Sequence, residues 1–307
     1  MHDAIHLSPA VRDALADGRA IVALESTVIT HGLPYPHNVE TARGMEAAVR
    51  EGGALPATVA VIGGHIRVGL TDDEIQYLGE QAGKGTVRKC SRRDLAIAVG
   101  CREDGATTVA GTMLVAHMAG IEVFATGGIG GVHRGHPFDV SADLAELGRT
   151  PVTVVSSGAK SILDLAATRE VLETHGVTIL GYGTDEIPAF FSARSGHYAD
   201  ARLDSAAEIA AVIRARRWLG LQSATLVVVP VPAGEALDGI EAEEAIDRCT
   251  AEADALGIHG AAATPWLLSR VAELTEGRSI QANVALLRNN GRVAAGIAVA
   301  LSEGAGR

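Results

Sequence analysis

VTVVSSGAKSILDL (residues 152–165) is a run of β-branched residues that ends in two serines and a glycine, and then meets a lysine. A short, wholly apolar run of this kind has no solvent-facing side and reads as a strand buried on both faces. The same style recurs in AIVAL (20–24), TVAVIGG (58–64), IRVGL (66–70), IEVFATGG (121–128), VTILGYG (177–183) and ATLVVVPVP (224–232). Helical patterns lie between them. NVETARGMEAAVREGG (38–53) is amphipathic and closed by glycines, and TDDEIQYL (71–78) opens with Thr71 and Glu74 at capping-box spacing. TPWLLSRVAELTEG (264–277) is predicted to start with Thr264 as N-cap and Pro265 in the first turn. Apolar strands alternating with helices predict an α/β fold whose largely parallel sheet is covered on both faces. Ligands in such folds gather beyond the carboxyl ends of the strands. Residues 1–307 show no low-complexity linker and no internal repeat, and are read as one domain.

The net charge of −11 argues against a nucleic-acid or anionic-membrane surface, which needs a basic face, but leaves room for a small anion on a local patch. Cys90, Cys101 and Cys249 form no CxxC pair, so neither a zinc ribbon nor a disulfide framework is expected, and the cytoplasm is the simplest setting. The first twenty residues are charged throughout and lack an apolar signal core. No apolar run approaches the roughly 20 residues that span a bilayer.

Four segments fall where this architecture places its chemistry. In ALESTVITHG (23–32), Glu25 follows a strand directly. A carboxylate at an apolar strand mouth suits a general acid, the plainer alternative being a loop or capping acid. TVRKCSRRDL (86–95) gathers Arg88, Lys89, Arg92 and Arg93, either a phosphate clamp or a solvated turn. FATGGIGGVHRGHPFDVSADL (124–144) exposes backbone amides through its glycines, but is not a dinucleotide fingerprint because His133 stands at the last glycine position. Its His133, His136 and Asp139 invite a zinc reading. Asp139 and Asp143, four apart, instead suit one helical edge, with one of them on a hard cation or both complementing a helix dipole.

The fourth segment is the opening stretch. Only three of 26 Lys+Arg are lysines: Lys84, Lys89 and Lys160. Thr153 and Ala159 rule out a P-loop. What remains is a lysine at a strand-to-helix junction, where burial and the positive end of a helix favour the free amine that forms Schiff bases. The alternative is a surface lysine paired with Asp164.

Taken in order, ALESTVITHG, VRKCSRRDL, GATTVAGTM, FATGGIGGVHRG, FDVSADL, SSGAKSILDL and PAFF resemble the pseudouridine-5′-phosphate glycosidase, or indigoidine synthase A-like, family from about residue 8 to the C-terminal helices. The resemblance implies a three-layer α/β/α sandwich, trimeric association, and reversible cleavage of the C1′–C5 bond of pseudouridine 5′-phosphate to uracil and ribose 5-phosphate. It implies Lys160 as Schiff-base nucleophile and Glu25 as proton donor. Substrate contacts fall on Lys89, the backbone at Val109, the segment Ser141-Ala142-Asp143, and Asn283 in QANVALL, with Thr126 and His133 as further pocket candidates. A divalent metal, commonly Mn²⁺ and otherwise Mg²⁺, falls on Asp139, with no organic cofactor. The chain departs from the pattern where only His136-Pro137 separate GVHRG from Phe138-Asp139. A phosphosugar kinase and a non-catalytic phosphosugar-binding regulator are the alternatives. The first would need ATP, and neither needs an imine at Lys160.

Overall fold

The apolar runs fold as strands and the periodic segments as helices. The computed structural model describes residues 5–258, 260 and 263–303. Its strands are β1 (Ile5–Leu7), β2 (Ile21–Leu24), β3 (Leu55–Ile62), β4 (His65–Val68), β5 (Val87–Cys90), β6 (Asp104–Thr107) and β7 (Val123–Ala125). Then follow β8 (Val132–His133), β9 (His136–Val140), β10 (Thr153–Ser156), β11 (Leu163–Asp164), β12 (Thr178–Tyr182), β13 (Ala201–Leu203) and β14 (Thr225–Val228). The main sheet runs β1-β4-β3-β2-β7-β10-β14-β12-β13, with β6 pairing β3 and β5. From β3 to β13 every neighbour is parallel. Only β4 and β6 meet β3 antiparallel, so the sheet is mixed and mostly parallel, as expected.

The strands that read as wholly apolar are buried along their length, β2 and β10 without a single exposed position. Helices on both sides make this possible. On one side α11 (Arg278–Glu303) crosses β2, β7 and β10 and packs between α2 (His37–Glu51) and α8 (Ala206–Trp218). The approach is close because small residues meet: a Cβ on Gly52, which ends α2, would lie 2.5 Å from the Cβ of Ala295. On the other side α4 (Arg92–Gly100), α5 (Val109–Ala119), α6 (Ala142–Leu147) and α7 (Leu165–Thr174) pack in succession. An apolar cluster from Ile5 to Leu301 fills the space between the layers.

Three expectations are corrected. The helix Ala263–Leu274 already includes Thr264, so Thr264 is not its N-cap; Pro265 does sit in the first turn, and the residues just before Ala263 lie outside the described ones. Asp139 and Asp143 do not share a helical edge, because Asp139 is on β9 and Asp143 is in α6. Lys160 is not at a helix terminus either. Helix α7 begins five residues later, at Leu165, and Asp164 is its N-cap, its carboxylate accepting from the Ala167 amide at 2.9 Å. The dipole argument for Lys160 therefore lapses, and Asp164 is not its partner.

Candidate active site

Strand order decides which residues meet. β2, β7 and β10 are neighbours, so the residues leaving their carboxyl ends emerge side by side. Glu25 follows β2, Thr126 follows β7, and the loop to Lys160 follows β10. The Glu25 side chain is nearly buried and its two oxygens accept from the hydroxyls of Thr27 and Thr126, which fixes the carboxylate's orientation. Lys160 is half-buried and its Nζ donates to the carbonyl of Gly128 at 2.9 Å. The glycine-rich loop thus holds the acid through Thr126 and the lysine through Gly128.

That loop is itself held by side chains distant in sequence. Asp143 is buried and accepts from the amides of Gly130 (2.8 Å) and Ala110 (2.9 Å), tying the loop to the first turn of α5, where Val109 is the leading residue. Ser141 caps α6 by accepting from the Asp143 amide at 3.2 Å, and Ala142 is the first residue of that helix. The Ser-Ala-Asp segment therefore acts as a brace for the loop. Asn290, fully buried on α11, donates to the Thr126 carbonyl at 2.9 Å and joins Ser157 of the lysine loop, so one amide links both loops. Arg134 donates to the carbonyls of Ser161 (3.0 Å) and Leu163 (3.2 Å) while pairing with Glu243 and Asp247. It pins the far side of the lysine loop.

The basic stretch contributes one cation, not four. Arg88 is paired with Glu103 at 2.5 Å, and Arg92 with the fully buried Glu146 at 2.5 Å. Arg93 is 89% exposed. Lys89, on β5, is the residue that turns towards the cluster: burial and the charge of Lys160 push its pKa down, with Asp143 and Glu25 opposing. Those causes place Lys89 in electrostatic reach of the acid, the other lysine and the brace. His31, on a short π-helical turn (Val28–Gly32), is held below its ordinary pKa by burial and by Lys89. His133, on β8, is lowered chiefly by burial, with Asp139 opposing and His136 and Lys89 reinforcing. Sequence reading singled out neither His31 nor Asn290. A histidine six positions after the acid, and two consecutive asparagines in an alanine-rich helix face, were the available signals.

A cavity of about 880 Å³ adjoins the cluster, walled by Leu33, Tyr35, Phe191 and Leu268, with His31 and Asn283 on its lining. Lys160 and Glu25 do not line it. Asn283 on its wall has its Oδ1 3.4 Å from where a Cβ on Gly127 would stand. Asp139 faces a different, narrow cleft shared with His133, His136 and Asp254, and accepts from the Gly260 amide at 3.3 Å. Among the described residues no three His, Cys, Asp or Glu side chains converge as a metal-ligand set. The cysteines are free, burial pushing Cys90 up to about 12 and Cys249 up to about 11. Among the described residues no helix is long and apolar enough to cross a membrane.

Residues 10–300 match the family model described as indigoidine synthase A like protein. The chain is 57% identical over 297 residues to a pseudouridine-5′-phosphate glycosidase of Herpetosiphon aurantiacus, covering 96% of this chain and 97% of that protein. It is 54% identical over 300 residues to that of Paracoccus denitrificans, covering 97% and 98%. Among solved structures, the prealnumycin C-glycosynthase in complex with ribulose 5-phosphate superposes with a TM-score of 0.90 at 39% identity, covering 99% of this chain and 98% of that one. An indigoidine synthase A-like protein of Thermotoga maritima does so with a TM-score of 0.89 at 34% identity, covering 98% of each. With a match across nearly its whole length, the chain belongs to the indigoidine synthase A-like family of pseudouridine-5′-phosphate glycosidases.

Proposed function

We infer that this chain is a pseudouridine-5′-phosphate glycosidase, cleaving the C1′–C5 bond reversibly to uracil and ribose 5-phosphate. The observation that carries the reading is that Glu25 and Lys160 emerge beyond the carboxyl ends of β2 and β10, with Lys89 of β5 in electrostatic reach of both, in a chain more than half identical to enzymes of that name. Ordinary two-carboxylate glycoside hydrolysis relies on protonating a leaving oxygen, and a carbon–carbon glycoside has none at the scissile position. A lysine solves this differently. The uncharged Lys160 amine adds to C1′ as the bond from C1′ to the ring oxygen breaks, and that oxygen takes a proton. The nitrogen lone pair then closes to an iminium while the C1′–C5 electron pair leaves on the base carbon. Glu25, fixed by Thr27 and Thr126, is the donor that protonates this carbon. Water hydrolyses the iminium, releasing ribose 5-phosphate and the amine.

Lys89 and the first turn of α5 at Val109 are assigned to the phosphate, where a charge and a helix N-terminus act together. Asn283 is assigned to the base side, because it lines the cavity beside Gly127. His133 is assigned to the sugar-phosphate side, where the charge of Lys89 reaches it. A divalent ion, Mn²⁺ or Mg²⁺, belongs to the same proposal. The described side chains do not fit a cage made by protein alone. A largely hydrated hard ion on the single carboxylate of Asp139 is what we assign there, and it would supply local positive charge. A homotrimer in the cytoplasm completes the reading.

The test is direct. Incubated with uracil and ribose 5-phosphate, the protein should yield pseudouridine 5′-phosphate without ATP, and borohydride added with ribose 5-phosphate should leave a reduced adduct on the Lys160 peptide. An ATP requirement would favour the kinase reading, and binding without turnover the regulator. An adduct on Lys84 or Lys89 would refute the assignment of the nucleophile.

A further inference from the structure

Helix α11 lays one face on the glycine-rich loop. A Cβ on Gly127 would stand 3.2 Å from Leu287, 3.3 Å from Leu286 and 3.4 Å from the Asn283 Oδ1, so backbone and helix pack closely. Asn290 lies two turns along the same face from Asn283. It is fully buried, with Leu286, Leu287 and Ala294 as buried neighbours on its helix. A primary amide in such a place is destabilising unless its donors and acceptor are used. Here they are used. Nδ2 donates to the Thr126 carbonyl at 2.9 Å and to the Ser157 hydroxyl at 3.2 Å, and Oδ1 lies 3.4 Å from that hydroxyl. An apolar residue would fill the place without supplying the donor.

Backbone bonds already tie the two loops together. The Ser157 amide donates to Gly127 (2.8 Å), the Ile129 amide to Gly158 (3.0 Å) and the Lys160 amide to Ile129 (3.1 Å). These hold the backbone of Lys160 without help from α11. Thr126 is held differently. Its amide donates to Val155 (3.0 Å), its carbonyl accepts from Asn290, and its hydroxyl donates to Glu25. The helix therefore orients the peptide that follows Thr126, and the Glu25 carboxylate is held by that same residue.

We propose that Asn290 is a positioning residue for proton transfer: by holding the Thr126 carbonyl it fixes the Glu25 carboxylate relative to Lys160, and so serves carbon–carbon cleavage rather than imine formation. The proposal rests on the glycosidase reading. In that reaction the imine needs Lys160 and a sugar aldehyde, whereas breaking C1′–C5 needs a proton delivered to the departing carbon in a fixed geometry. A displaced acid slows the second step and spares the first.

The experiment applies two readouts to the parent protein, Asn290→Ala and Asn289→Ala. One is turnover of pseudouridine 5′-phosphate, and the other is the rate at which borohydride with ribose 5-phosphate labels Lys160. In Asn290→Ala, kcat should fall by about tenfold or more, with KM and the labelling rate within about threefold of the parent. Asn289, whose amide donates to the Pro230 carbonyl at 3.4 Å, is the control from the same helix, and its truncation should change neither readout. Where Asn290→Ala fails to fold, Ser157→Ala, which releases the other side of the amide, should show the same split at smaller size. An equal fall of kcat and labelling in a folded variant overturns the proposal, because the amide then only supports the loop. Unchanged kcat in a folded variant overturns it too, and either result leaves the glycosidase reading standing. Absence of both turnover and labelling in the parent protein overturns that reading and the proposal with it.

Discussion

Residues 86–95 hold four cations and residues 126–131 hold none, yet the glycine-rich region is the more deeply built into the site. In the basic region, carboxylates remote in sequence neutralise Arg88 and Arg92, and the exposed guanidinium of Arg93 lies 3.7 Å from the neighbouring Asp94. Lys89 alone is left for a ligand. In the glycine region, backbone carbonyls and amides are the working parts: Gly128 receives Lys160, Gly130 donates to Asp143, and Thr126 and Gly127 receive Asn290. Absent side chains make this possible. A Cβ on Gly130 would stand 2.2 Å from the Ser141 hydroxyl, and one on Gly128 would stand 2.7 Å from Phe190. Formal charge in a segment says little about the charge a ligand meets, because partners distant in sequence consume it. Clustered glycines say more, since close approach leaves few other residues to choose from.

The largest test of this contrast is Lys160→Arg. Charge and approximate length are kept, but a guanidinium stays protonated and cannot add to C1′. We expect kcat to fall by at least about a thousandfold, as when a covalent nucleophile is lost, while Lys84→Arg in its exposed turn leaves kcat unchanged. A Lys160→Arg enzyme with wild-type turnover would remove the reason for treating the glycine loop as the centre of the site. Next in size is Gly130→Ala. The added methyl must displace Ser141 or Asp143, and overpacking of this kind costs about 1–3 kcal/mol. Denaturant midpoint and kcat/KM should fall together. Arg93→Ala, in the basic region, should move neither; if it costs as much activity as Gly130→Ala, the contrast between the regions is wrong.

The sheet was legible because its signal is local. A strand such as Thr153–Ser156 is buried on both faces, so its β-branched run shows in any short window. The capping box at Thr71 and Glu74 is equally local and is present. The end of the lysine loop was not legible in this way: SSGAKSILDL reads as a helix soon after the strand, but residues 160–163 close a turn, and Arg134 and the short β11–β8 pairing hold Leu163 and Asp164 in place before α7 starts. Glu25 could be placed from its position after β2. Its two threonine partners could not both be, since Thr126 comes from a strand a hundred residues later. Asn290 and His31 escaped for the same reason. Their roles exist only once β7, β10 and β5 lie next to their own elements.

The smallest effect tests how far the charge of Lys89 reaches. His31 is kept below its ordinary pKa of 6.5 by burial and by the charge of Lys89. In Lys89→Gln the second cause is gone, so an NMR titration should show the His31 pKa rising towards 6.5 while burial still holds it below. Arg92→Gln should leave it in place, because Glu146 already neutralises that guanidinium. The sign carries through to stability. A histidine with a depressed folded pKa stabilises the fold above about pH 6.5, where both states are neutral, and that contribution is lost as pH falls through the folded value. With the folded value nearer to the unfolded one in Lys89→Gln, His31 should contribute a shallower acid-side loss. Lys89 obeys the same rule about its ordinary 10.5: at neutral pH the fold bears the cost of a buried charge beside Lys160. Lys89→Gln should therefore unfold at a higher denaturant midpoint at pH 7 than the parent protein while binding ribose 5-phosphate more weakly. A lower midpoint together with an unmoved His31 would show that Lys89 is an ordinary structural cation, no different in kind from Arg88 and Arg92.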